Sequence, residues 1–239
     1  MKLSKGNVGL RRTAAEVKKY RIIMRTVPIA LGCATLVLTL LYAITVMYSK
    51  YGSFTVMVNK FDNVKYALTL SETPEFSDPI SRLNCKASEE ITNIDGTTLP
   101  QDLDMINGEH NGDNYVAYTF YCKNAGIETV TYEYQLYIAN MTLDIEKAVR
   151  VRLYVNGEAT DYARTRTDGT GPEPGTTEFV SESVIARNQI MNFEPGAVTK
   201  YTVVIWLEGN DPECLDNILG GEFKIDMSMS IIGIEDEEE

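Results

Sequence analysis

Apolar residues fall along this chain in two patterns of different period. From Val27 to Tyr48 they run unbroken: VPIALGCATLVLTLLYAITVMY carries no charged side chain in 22 positions. As a helix this stretch rises about 33 Å, enough to cross a hydrocarbon core about 30 Å thick. From Ser53 onward the apolar residues recur at every second position or in short aromatic and β-branched runs, the mark of strands. Ala14 to Arg25, just before the span, predicts a helix running into the membrane, with Pro28 as a kink or as the start of the span. Residues 1–13 read as a disordered tail, and Glu235 to Glu239 as a solvated acidic one.

The strand pattern can be followed in order. Ser53–Asn59 and Lys65–Ser71 are β-rich, with Asp62-Asn63 as turn chemistry between them. Tyr115–Lys123 (YVAYTFYCK) is aromatic and β-branched throughout, and Asn124-Ala125-Gly126 turns the chain. Thr129–Asn140 alternates, with Val130, Tyr132, Tyr134, Leu136 and Ile138 on one face. Ala148–Val155 alternates more sharply: Val149, Val151, Leu153 and Val155 face in, and Arg150 and Arg152 face out. Asn156-Gly157 then predicts a tight hairpin onto Glu158–Ala163. Phe179–Ala186, Val198–Glu208 (with the only tryptophan, Trp206) and Glu222–Ile232 complete the set. Residues 94–114 form a long polar connection, and the Gly- and Pro-rich residues 164–176 a mobile loop. Eight to ten short strands with almost no helix need a second sheet to bury their apolar faces. The expected fold is an all-β, antiparallel, jelly-roll-type β-sandwich ectodomain preceded by one transmembrane helix. The domains expected are a basic cytoplasmic tail 1–26, a transmembrane helix 27–48, the sandwich 49–232 and an acidic tail 233–239.

Charge orients this arrangement. Residues 1–25 hold eight basic side chains against Glu16, a net of +7. With 22 basic and 34 acidic residues in all, the remainder stands at 14 against 33, a net of −19. Basic flanks stay inside, so the N-terminus is expected in the cytoplasm and the acidic sandwich outside. A domain so acidic, with no basic patch, argues against nucleic acid as a partner. The basic residues of 14–25 can reach anionic lipid head groups.

Catalytic chemistry is sparse. The one histidine, His110, lies in a polar loop, and no His-Glu-x-x-His or Gly-x-Ser-x-Gly occurs. A catalytic zinc needs about three protein ligands, so His110 with Glu109 supplies only part of a site. Asp102, Asp104, Glu109 and Asp113, with Asn114, are oxygen donors of the kind calcium takes, but their spacing does not fit an EF-hand. That loop reads either as a structural calcium site or as a solvated acidic surface. No other cofactor is implied. Cys85, Cys122 and Cys214 lie outside the span and Cys33 within it. In an oxidising compartment Cys85 and Cys122, both in or beside strands, are the expected disulfide; three reduced thiols are the alternative.

Tyr115–Lys123 with Asn124-Ala125-Gly126, then Ala148–Gly157, Pro195-Gly196, Val203–Cys214 (VVIWLEGNDPEC) and Gly220-Gly221 before a last strand resemble the TasA/camelysin group of Gram-positive surface proteins. The closest likeness is to membrane-anchored clostridial-type relatives, over residues 50–232. The resemblance implies a jelly-roll ectodomain in the envelope or biofilm matrix. In TasA-like members, subunits join by donating an N-terminal strand to the next subunit. Camelysin's metalloprotease activity is not implied, because its ligands are missing here. Three readings follow. The first is a non-catalytic, membrane-anchored surface protein that binds itself or other envelope or matrix proteins. The second is a cleaved fibre or pilus-like subunit assembling by donor-strand addition. The third is a metal-dependent surface hydrolase.

Overall fold

The computed structural model describes residues 14–50, 54–58, 65–85 and 91–234. The tail 1–13, the Asp62-Asn63 turn and the acidic tail Glu235–Glu239 lie outside these. The chain divides into two compact units, 1–50 and 51–239.

The described part of the first unit is one helix, α1 (Ala14–Lys50, 37 residues), which joins the helix expected at 14–25 to the apolar span. Pro28 is accommodated inside it. Thr26–Ala43 is the stretch long and apolar enough to cross a membrane. Two hydroxyls within it are satisfied by the helix itself: Thr35 Oγ1 donates to the Gly32 carbonyl at 2.9 Å and Thr39 Oγ1 to the Thr35 carbonyl at 2.7 Å. Such back-bonding lets threonine enter an apolar helix without stranding a donor.

The second unit contains β1 (Phe54–Val58), β2 (Leu68–Ser71), β3 (Arg82–Cys85), β4 (Gly108–Glu109), β5 (Tyr115–Asn124) and β6 (Val130–Met141). Then come β7 (Val149–Val155), β8 (Glu158–Ala163), β9 (Thr177–Glu178), β10 (Val184–Phe193), β11 (Val198–Leu207) and β12 (Phe223–Ile234). One sheet has five strands in the order β10-β6-β12-β1-β3. The other has seven, in the order β2-β5-β11-β7-β8-β9, with β4 also on β5.

The sheets bury a shared core rich in aromatic rings. Phe120 stacks on Tyr201 at 5.3 Å, Tyr134 meets Tyr201 edge-on at 5.4 Å, and Tyr132 meets Phe193 at 4.9 Å. The Tyr132 and Tyr201 hydroxyls bond each other at 2.8 Å, so neither phenol is left unsatisfied. The hairpin at Asn156-Gly157 forms as expected, both residues having positive φ (51° and 90°), which a twisted two-residue turn requires.

The sheets are mixed, not purely antiparallel. β1 runs parallel to β12, Phe54 opposite Ile225, and β8 runs parallel to β9. Short hairpins enforce antiparallel pairing, but β1 and β12 are separated by nearly the whole domain, and β8 reaches β9 through residues 164–176. One further expectation changes. The strand placed at Phe179–Ala186 begins only at Val184 and runs on to Phe193; as an edge strand of polar composition its second half gave no alternation. Residues 164–176 carry hydrogen bonds of their own. Arg166 N donates to the Gly171 carbonyl at 3.0 Å, and Asp168 Oδ1 accepts from Thr170 N and Oγ1 at 2.9 and 2.6 Å.

Candidate functional site

Most of the distinctive side chains gather at one end of the sandwich, where β1, β7 and β12 begin and β6 and β11 end; this is the near end. Along β11 the side chains alternate, so with Tyr201, Val203 and Ile205 in the main core, Val204 and Trp206 point to the other face of the seven-stranded sheet. That face is covered rather than solvated. Leu99 and Leu103, from the connection 94–107, close over Ala117, Tyr154, Val204 and Trp206 to form a second small core.

Trp206 is held from several sides. Its Nε1 donates to Glu208 Oε2 at 3.0 Å, and the same oxygen accepts from Gly96 N at 3.0 Å. Ile94 N donates to the Leu207 carbonyl at 2.9 Å and Gly209 N to the Ile94 carbonyl at 2.8 Å, clasping residues 94–96 against β11. Only glycine fits at 96: a Cβ there would lie 2.7 Å from Glu208 Oε2 and 2.9 Å from Trp206 Nε1. Asp95 opens the turn that follows, accepting from Thr97 N and Oγ1, and these hydrogen bonds, the hydroxyl's first, hold its carboxyl below the usual range. Arg152 lies over the indole at 5.6 Å and grips Asp161 with two bonds of 2.6 and 2.8 Å, which raise its pKa further.

Arg150 departs most from its sequence reading. It faces away from the main core, as the alternation required, yet its side chain is only 3% exposed. It pairs there with Asp211, itself 2% exposed, and also donates to the Val149 carbonyl at 3.1 Å. Asp211 Oδ1 accepts from Glu213 N at 2.7 Å, and Glu213 Oε1 accepts from Thr167 N at 3.0 Å. Arg164 donates to buried Glu146 at 2.9 Å. The stretch WLEGNDPEC thus fastens β11, β7, residues 93–96 and the 164–176 loop together. Sequence reasoning singled out this stretch without seeing that its carboxylates serve internal donors. The signal available was the alternating arginines of β7, which place charge on a face that a long connection can cover.

The acidic calcium candidates are spread out. Asp102 and Asp113 face the Tyr115 phenol and, after burial, raise its pKa. Asp104 faces Lys200 at 3.9 Å, and Glu109 accepts from Asn111 Nδ2 at 3.3 Å. Among the described residues no group of three or more His, Cys, Asp or Glu side chains is placed to hold a metal ion. Pairing of β4 with β5 sets Glu109 opposite Tyr118. Asn114 is engaged elsewhere, its Oδ1 accepting from Thr92 Oγ1 at 2.6 Å. His110 is half-buried, with Nδ1 2.8 Å from the Gly108 carbonyl.

Cys85 and Cys122, the expected disulfide pair, are placed as thiols on the two different sheets. Cys85 lies on β3 of one sheet, 3.7 Å from Asn111 Oδ1, and Cys122 on β5 of the other, beside Tyr132. Each buried thiol has its own polar neighbour, and burial pushes the Cys122 thiol up, keeping it neutral.

The geometry defines a two-sheet β domain with one apolar N-terminal helix. No family model and no curated protein matches the chain. Among solved structures, a β-glucosidase from Kluyveromyces marxianus in complex with glucose is 12% identical, with a TM-score of 0.25 over 55% of this chain and 14% of that one. A GH31 α-xylosidase from Xanthomonas citri is 12% identical, with a TM-score of 0.24 over 71% of this chain and 16% of that one. The chain spans less than a fifth of either enzyme, and likenesses at these scores carry no argument.

Proposed function

We propose that this protein is a non-catalytic, membrane-anchored surface protein whose jelly-roll-type sandwich, of the TasA/camelysin kind, stands outside the cell and binds envelope or matrix components. The observation that carries this reading is how the polar side chains of the near end are used. Glu208, Asp211, Glu213 and Glu146 each accept from a donor of the same domain. Carboxylates engaged in this way build a rigid platform. The apolar span of α1, preceded by basic residues, supports an anchor with the N-terminus inside.

The second reading, a released fibre subunit, takes its support from β1. This short strand follows the helix closely in sequence and lies between β12, to which it is parallel, and β3, to which it is antiparallel. In its own domain β1 already fills that slot, with Phe54, Val56 and Val58 buried, which favours the anchored reading. Protease added to intact cells separates the two. The anchored protein loses its sandwich to the protease and keeps α1 in the membrane through an alkaline carbonate wash. Recovery of the sandwich from the medium before protease is added would establish the released subunit instead.

A further inference from the structure

The near end also carries an exposed aliphatic tip. Leu219 is 72% exposed, Leu215 61%, Leu143 54% and Met141 40%. They lie on two segments, 141–143 and 215–222, that meet where β12 begins. Met141 is in register with Phe223, Thr142 N donates to the Glu222 carbonyl at 3.0 Å, and a Cβ on Gly221 would lie 3.1 Å from the Thr142 carbonyl oxygen. The chain adopts unfavourable backbone to display part of this tip: Leu143 and Asp144 both have left-handed φ, at 59° and 54°. That conformation is costly for leucine, and its exposed side chain recovers little of the cost inside the domain.

Topology decides what lies opposite. β1 is parallel to β12, with Phe54 level with Ile225, so the chain enters β1 at the end where β12 begins, two residues from Phe223 and Met141. Three residues, 51–53, join Lys50 to Phe54, and that length of chain reaches at most about 14 Å. The sandwich is therefore tethered to α1 by three residues, at the end that carries the aliphatic tip.

We propose that Met141, Leu143, Leu215 and Leu219 form a lipid-contacting tip that rests the sandwich on the outer surface of the bilayer. This rests on the anchored reading given above. Aliphatic side chains suit the boundary between head groups and acyl chains. Their exposed acidic neighbours Asp216 and Glu222 are repelled by anionic lipid, so zwitterionic lipid is the matched surface.

The test uses the full chain in nanodiscs of zwitterionic lipid, plain or brominated along the acyl chains, which quench nearby indoles. The unaltered chain gives the baseline from Trp206. Leu219→Trp adds an indole at the tip, and Ile127→Trp adds one at the far end, at another exposed aliphatic site. We expect brominated lipid to quench the indole from Leu219→Trp roughly twofold or more beyond that from Ile127→Trp, because only the tip enters the acyl boundary. Should Leu219→Trp fail to fold, Leu215→Trp carries the same expectation. Equal quenching at the two ends, with the chain retained in the disc, overturns the lipid contact alone and leaves the tip to a protein partner. Loss of the chain from the disc on an alkaline wash overturns the anchor and this inference together.

Discussion

The two faces of the seven-stranded sheet bury side chains by different rules. The inner face is apolar and aromatic and meets the other sheet through Phe120, Tyr201, Val151 and Leu153. The outer face is covered by the connection 94–107 around Trp206 and by the turn after β11 around Arg150, and mixes Leu99, Leu103 and Trp206 with the charged pair Arg150–Asp211. A sheet that packs on another sheet can be filled by alternation alone. A sheet covered by a loop must satisfy the loop's backbone too, and here Glu208 and the Ile94 peptide group do that.

Alkali is the strongest way to set the two faces apart. Burial raises the phenols of Tyr132 and Tyr201 well above their ordinary range and that of Tyr134 to about 12. Above about pH 10 the unfolded chain loses these protons while the folded chain keeps them, so the folded state binds more protons and stability falls as pH rises. Their contribution is fully present below pH 10 and disappears as pH passes through the folded values. Tyrosinate absorbance from the core between the sheets should therefore appear together with the loss of near-ultraviolet circular dichroism. Smooth tyrosinate formation in a chain that stays folded would mean that this core is open to water.

Truncating Phe120→Ala on the inner face should cost about 3–5 kcal/mol, read from denaturant unfolding. On the outer face, Asp211→Ala leaves Arg150 buried without its carboxylate and should cost about 3 kcal/mol, while the double change Arg150→Met with Asp211→Leu should restore most of it. Failure of the double change to recover stability would show that the pair does more than neutralise itself. Gly96→Ala forces a methyl group against Glu208 and Trp206 and should cost about 1–3 kcal/mol, with a shift in Trp206 emission as the local readout. The weakest expected effect is Asp161→Asn. It loosens the half-exposed clamp on Arg152 and should change stability by only about 0.5–1 kcal/mol, falling as salt rises.

The same contrast explains what could be read in advance. The apolar span, the inward faces of β6 and β7, and the Asn156-Gly157 hairpin were legible because each depends on local period or turn chemistry. Arg150 was placed on its correct face but expected in water, since alternation reports which face a residue takes and not whether that face is covered. The cover itself, Leu99 and Leu103 within a polar connection, has too few apolar residues to show a period. The parallel β1–β12 pairing joins the two termini of the domain, where no connecting turn records the direction. The acidic loop looked like a possible ion site because its oxygens are close in sequence; folding sends Glu109 to β5 and Asp104 to Lys200.

The measurement closest to the central proposal is the mass and N-terminal sequence of the mature protein recovered from membranes. The anchored account predicts a chain that still carries the residues before Val27, including the basic cluster. A mature protein beginning near residues 49–52 would contradict it, leaving α1 as an export signal and β1 at a free N-terminus.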